Sequence, residues 1–140
     1  MEGHKDLKVY QLAYKLAMEI FNESKSFPKE ERYSLTDQVR RSSRSVAANI
    51  AESFRKRRYP NMFLNKLTDS DSEATETQVW LDFARDCGYL NESSHKNLMA
   101  GYAEIGRMLG SMMAKPEKFT PSLSAHCSLP SAFRLLSGRS

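Results

Sequence analysis

The chain reads as an all-α protein, an up-down-up-down four-helix bundle, and three observations predict it. Strand-like alternation is nearly absent, whereas apolar residues recur at helical spacing over four long segments. Proline, glycine and small polar residues punctuate the sequence between those segments. The connections are short, which favours antiparallel neighbours. With 140 residues, 40% of them hydrophobic and 27% charged, the chain suits one domain around a single modest core. Residues 1–119 are expected to hold the bundle. Residues 120–140 are Ser- and Pro-rich without a sustained period and are expected to form a disordered tail, although Phe133, Leu135 and Leu136 are apolar enough to dock.

The first helix is expected from about Asp6 to Ser26. Val9, Leu12, Leu16 and Ile20 make one stripe, with Tyr10, Tyr14, Ala17 and Phe21 making a second beside it. Two stripes exceed what one neighbouring helix covers, so this helix is either central or meets another subunit. Phe27-Pro28 ends the pattern, and KEERYS reads as a turn or single helical turn. The second helix runs from Leu35 or Thr36 to about Lys56. The third starts at Pro60, since proline suits the first helical turn, and continues to about Cys87. Its seam is Phe63, Leu67, Ser70, Ala74, Thr77, Leu81 and Ala84, an unbroken 4-3 spacing. Gly88 is placed for a left-handed C-cap. Asn91 caps the fourth helix, whose seam is Leu98, Tyr102, Ile105, Leu109 and Met112, and Pro116 ends it. Gly101, Gly106 and Gly110 each weaken that helix by roughly 1 kcal/mol relative to alanine, which implies close helix contact as compensation.

The second helix carries the charge that matters most. At about 100° per residue, Leu35, Val39, Val46, Ile50 and Phe54 share one side. Arg40, Arg41, Arg44 and Arg55 lie across from it, and Lys56, Arg57 and Arg58 extend the charge into the turn. Ser42, Ser45, Asn49 and Glu52 form a polar strip between the two arcs, of which Ser45, Asn49 and Glu52 read as a buried hydrogen-bonded set that fixes helix register. Residues 35–58 hold seven Lys/Arg against two Asp/Glu, whereas residues 61–88 hold two Lys/Arg against six Asp/Glu. Two readings follow. The basic face pairs with the acidic third helix, in this chain or a neighbouring subunit, or it stays free and binds phosphate, which arginine suits through bidentate geometry. Trp80 and Phe83 lie off the third helix's seam. With Tyr10 and Tyr14 they mark an oligomer interface, where aromatics are enriched.

Other chemistry is poorly supplied. The net charge of +4 permits a polyanionic partner without requiring one. No stretch approaches the roughly 20 apolar residues of a membrane span, and MEGHKDLKVY lacks the pattern of a signal peptide. Cys87 and Cys127 have no metal or redox spacing, so a reduced, cytoplasmic setting is expected. Glu92-Ser-Ser-His95 has the spacing of a di-iron ligand pair but no second copy, and reads as helix capping. No metal or cofactor is expected. Ser45, Asn49 and Glu52 lack a histidine, a paired cysteine or a second carboxylate, so an enzyme is not expected either.

KVYQLAYKLA, FPKEERYSLTDQVRRSSRSVAANIAES, EATETQVWLDFARDCGYL and EIGRMLGSM, in register over residues 5–119, resemble a family of bacterial four-helix-bundle proteins. These were first noted as products of reading frames within intervening sequences of 23S ribosomal RNA genes and have been labelled ribosomal proteins. The resemblance implies a short bundle assembled as a ring-shaped homopentamer. The related accessory variability determinants of diversity-generating retroelements form basic pentamers that bind a reverse transcriptase and nucleic acid. By that analogy structured RNA or a nucleic-acid-processing protein is the implied partner, and Arg40, Arg41 and Arg44 are the first candidates for the contact. Many relatives carry proline where Ala47 stands and glycine where Ser53 stands, so here the second helix is expected to run straighter and continue through Phe54.

Overall fold

The structure, a computed structural model, describes residues 3–119; the predicted tail lies outside them. Four helices account for most of this range: α1 (Lys8–Ser24), α2 (Leu35–Arg55), α3 (Pro60–Asp86) and α4 (Glu92–Ala114). Short 3-10 turns occupy His4–Asp6, Lys29–Glu31 and Pro116–Lys118, and no strand occurs among the described residues. α1 packs on α2 and α4, and α3 packs on the same two, with the α2–α3 contact the most extensive. α1 is thus not central: α2 and α4 cover Val9, Leu16 and Ile20 of its first stripe, while Tyr14 of the second stays exposed.

The heptad seams become the core as read. Every seam residue of α3 from Phe63 to Ala84 is buried, as are Leu98, Tyr102, Ile105, Leu109 and Met112 of α4. α2 contributes Leu35, Val39, Val46, Ile50 and Phe54 and continues unbroken past Ser53. On α1 the buried set is Val9, Ala13, Leu16 and Ile20, with Leu12 only partly covered. Small residues let α2 and α3 approach: Thr77 Oγ1 lies 2.8 Å from Ser42 Oγ, and Ser70 donates to the Val46 carbonyl at 2.9 Å. This is the buried polar link between the helices. Asn49 instead bonds Ser45 within α2, and Glu52 reaches outward to Lys66. Ser45, Asn49 and Glu52 therefore do not set register between helices. Ser42 does, because it alone of the strip turns fully inward.

The helix ends follow their local chemistry. Gly88 has φ +80°, and beyond it the Tyr89 and Leu90 N–H groups return to the Ala84 carbonyl. Asn91 Oδ1 accepts from the Ser94 N–H at 2.7 Å. Of the three α4 glycines, only Gly101 is a close-approach site: an added Cβ there meets Leu16 Cδ2 at 2.6 Å. Gly106 and Gly110 correct the expectation of a close-packing pair. Nothing comes within 4 Å of a Cβ at Gly110, and only Asp71 nears one at Gly106, because both lie off the buried seam.

Candidate nucleic-acid interface

The arginines of α2 divide by azimuth. Positions four apart sit about 40° from one another and adjacent positions about 100°, so Arg40 and Arg44 share a flank that Arg41 leaves. Arg40 and Arg44 lean towards α1, with their guanidinium carbons 4.8 and 5.8 Å from the centre of the Phe21 ring. Arg40 Nε also donates to Ser24 Oγ at 2.7 Å. These contacts hold the two cations over one aromatic face, a cation–π arrangement that orders arginine without neutralising it. Arg41 turns to α3, where it pairs with Glu73 at 3.4 Å and with Glu76. Glu76 also accepts from the Trp80 indole N–H at 3.2 Å.

At the far end of α2, Arg57 folds back. Its Nε donates to the Phe54 carbonyl at 2.8 Å, and its guanidinium lies 3.6 Å from the centre of the Phe54 ring. Arg55 and Arg58 are exposed, and Lys56 is partly so. Among the described residues, Arg41 is the one cation of the seven between Arg40 and Arg58 with a carboxylate partner. Asp82 and Asp86 of α3 are directed elsewhere. Asp82 Oδ1 meets His95 Nε2 at 2.8 Å, Asp86 meets Arg85 at 2.9 Å, and Arg85 also approaches Glu92. Within one chain, the opposition of a basic α2 and an acidic α3 thus resolves into few direct pairs.

Arg32, Thr36, Asp37, Arg40, Arg41 and Arg44 line a groove of about 420 Å³ beside the start of α2. Arg32 and Thr36 were not legible as site residues, because Arg32 stands in the turn before the helix, outside any periodic face. Their one sequence signal is position: one residue lies within a turn of the helix start on either side.

The four aromatics singled out for an interface fall into two patches. Tyr10 packs edge-on against His4 at 4.8 Å and lies 6.1 Å from Tyr14, which is 55% exposed beside exposed Met18. Trp80 is partly buried, 5.9 Å from Phe83, which is 54% exposed beside exposed Val79. This second patch borders a groove of about 410 Å³ shared with Tyr33, Leu35 and Cys87. The patches sit on α1 and α3, which share no extensive contact.

A helical core of this pattern, with its basic second helix, matches a known family. The model of the 23S rRNA-intervening sequence protein family covers residues 5–111. The chain belongs to that family. Among solved structures, it resembles a protein of unknown function from the S23 ribosomal protein family of Bacteroides thetaiotaomicron VPI-5482. The identity is 27% and the TM-score 0.68, over 75% of this chain and 97% of that one. A comparison with curated proteins gives no match.

In this 23S rRNA-intervening sequence protein, His95 is engaged structurally. It is buried between Asp82 and Arg85, tying the start of α4 to the end of α3. Among the described residues, no three His, Cys, Asp or Glu side chains stand together as a metal-ligand set, and no helix is long and apolar enough to cross a membrane.

Proposed function

We propose that this protein is a non-enzymatic, cytoplasmic accessory module whose four helices alternate up-down-up-down. In this reading it assembles as a ring-like homopentamer and binds structured RNA or a ribonucleoprotein through the basic face of α2. One observation carries the reading: six of the seven cations from Arg40 to Arg58 have no carboxylate partner among the described residues, Arg41 being the exception. Arginine held by ring stacking keeps its charge available for phosphate. The two aromatic patches support assembly. Each is exposed, they lie on different helices, and a contact of one patch with the other patch of the next copy is heterologous, the kind that closes into a ring.

The test is binding of the purified protein to a structured RNA across a salt series, beside an Arg44→Glu/Arg55→Glu/Arg58→Glu variant. All three residues are exposed, so folding should be unaffected, and Arg41 keeps its partners. Expected are a steep loss of affinity with salt and no measurable binding by the variant. Absence of binding at low salt by both proteins refutes the reading. Native mass spectrometry giving only monomer at micromolar concentration refutes the assembly.

A second reading is a protein–protein scaffold whose α2 cations pair with a neighbouring subunit. The groove beside Trp80, Phe83 and the 86% exposed Tyr33 favours it, being an apolar surface fit for a protein partner.

A further inference from the structure

The groove at the start of α2 gathers four arginines around about 420 Å³, and what is inferred from it rests on the basic face being a nucleic-acid surface. Three of the four arginines lining the groove are uncommitted to any carboxylate. The side chains of Arg32 and Arg44 make no hydrogen bond or ion pair among the described residues, and that of Arg40 uses only Nε, on Ser24. Asp37 is the one carboxylate of the lining, and Glu73 and Glu76 already engage Arg41. The four arginines against Asp37, Glu73 and Glu76 leave a local charge of +1, with three guanidiniums held by no carboxylate. Thr36, in the same lining, is 8% exposed, and its Oγ1 is shielded from water.

We propose that the groove binds a phosphate monoester, the terminal phosphate of an RNA strand. A monoester carries about −1.5 to −2 charges near neutral pH and three acceptor oxygens, one for each guanidinium that no carboxylate holds. An internal diester has two free oxygens and leaves one of these arginines unmet. Arg40 and Arg44 are already ordered on the Phe21 ring, so little side-chain freedom is lost when an oxyanion arrives. From Arg40 to Arg55 the helix rises roughly 22 Å at 1.5 Å per residue. The cluster at residues 55–58 therefore lies within reach of the backbone of a strand whose end sits in the groove.

The test uses three oligoribonucleotides of one sequence, with a 5′-phosphate, a 3′-phosphate, or hydroxyls at both ends. Binding is measured by fluorescence anisotropy for the wild type, for Arg32→Gln/Arg44→Gln, and for Thr36→Val, an isosteric change. A nucleoside 5′-monophosphate and inorganic phosphate serve as competitors. At least one phosphorylated strand should bind about tenfold tighter than the hydroxyl strand, which strand doing so identifying the end that is read. The arginine pair variant should lose that preference, whereas Thr36→Val should keep it, because the hydroxyl is as shielded from a phosphate oxygen as from water. Equal binding of all three strands by the wild type overturns the groove as a terminal-phosphate site while leaving the RNA reading intact. A preference undiminished in Arg32→Gln/Arg44→Gln overturns it too. If no strand binds but the monophosphate does, and Arg32→Gln/Arg44→Gln abolishes this, the groove stands as a phosphate-monoester site and the RNA reading falls.

Discussion

Replacing Gly101 by alanine should destabilise this protein, although the same change in a helix interior ordinarily stabilises. The usual gain is about 1 kcal/mol, from lost freedom of the unfolded chain and better helix propensity. At Gly101 the new Cβ meets Leu16 Cδ2 at 2.6 Å, Cδ1 at 2.8 Å and Cγ at 3.3 Å. The atoms met belong to the flexible end of the Leu16 side chain, but Leu16 is buried, so relief requires it to repack within the core or α1 and α4 to shift. Overpacking of this kind costs about 1–3 kcal/mol. The balance is a net loss of about 0–2 kcal/mol for Gly101→Ala. Gly110→Ala is the internal control, because nothing lies within 4 Å of its Cβ position. It should gain about 0.5–1 kcal/mol. Urea unfolding at one fixed protein concentration reads both, with m unchanged, and thermal midpoints should separate by several degrees. In a Leu16→Ala background the clash is gone, and Gly101→Ala should become stabilising there. Equal stabilisation by Gly101→Ala and Gly110→Ala in the wild-type background would refute the close α1–α4 approach.

Other expectations are as direct. Glu76→Gln should cost under about 1 kcal/mol, since both partners of the Arg41 pair are substantially exposed. It should also shift the emission of Trp80, whose indole N–H bonds Glu76, and fluorescence with thermal melting checks both. The Glu31 hydrogen bond, with burial and the same carboxylate's charge behind it, pushes the Tyr89 phenol up to about 12. A raised folded-state pKa means that this stabilisation is complete below about pH 10, the unfolded value, and is lost as pH rises towards 12. Tyr89→Phe should remove that part of the alkaline decline in stability. The Ser34 hydroxyl first, then Tyr89, lower the Glu31 pKa, so their support is present above the ordinary carboxylate value and fades as pH falls through the depressed one. Asn91→Ala should cost about 0.5–2 kcal/mol by unmaking the α4 cap, read by chemical denaturation.

The sequence alone determined the four helices, their seams and their ends, because those depend on local periodicity and on single residues at caps. Phe63 to Ala84 could be read as a buried line without knowing what covered it, since a heptad repeat has one face whatever its partner. Gly88 and Asn91 announced helix ends for equally local reasons. The tertiary structure alone decided which charges meet. Arg40, Arg41 and Arg44 look alike in sequence, yet a difference of about 100° in azimuth sends Arg41 to Glu73 and Glu76 and leaves the others on Phe21. The same holds for Gly101 against Gly110, and for Thr36 in the lining of a groove completed by Arg32 from the preceding turn. Periodicity states which face of a helix is apolar; only the placement of its neighbours states what each polar side chain finds there.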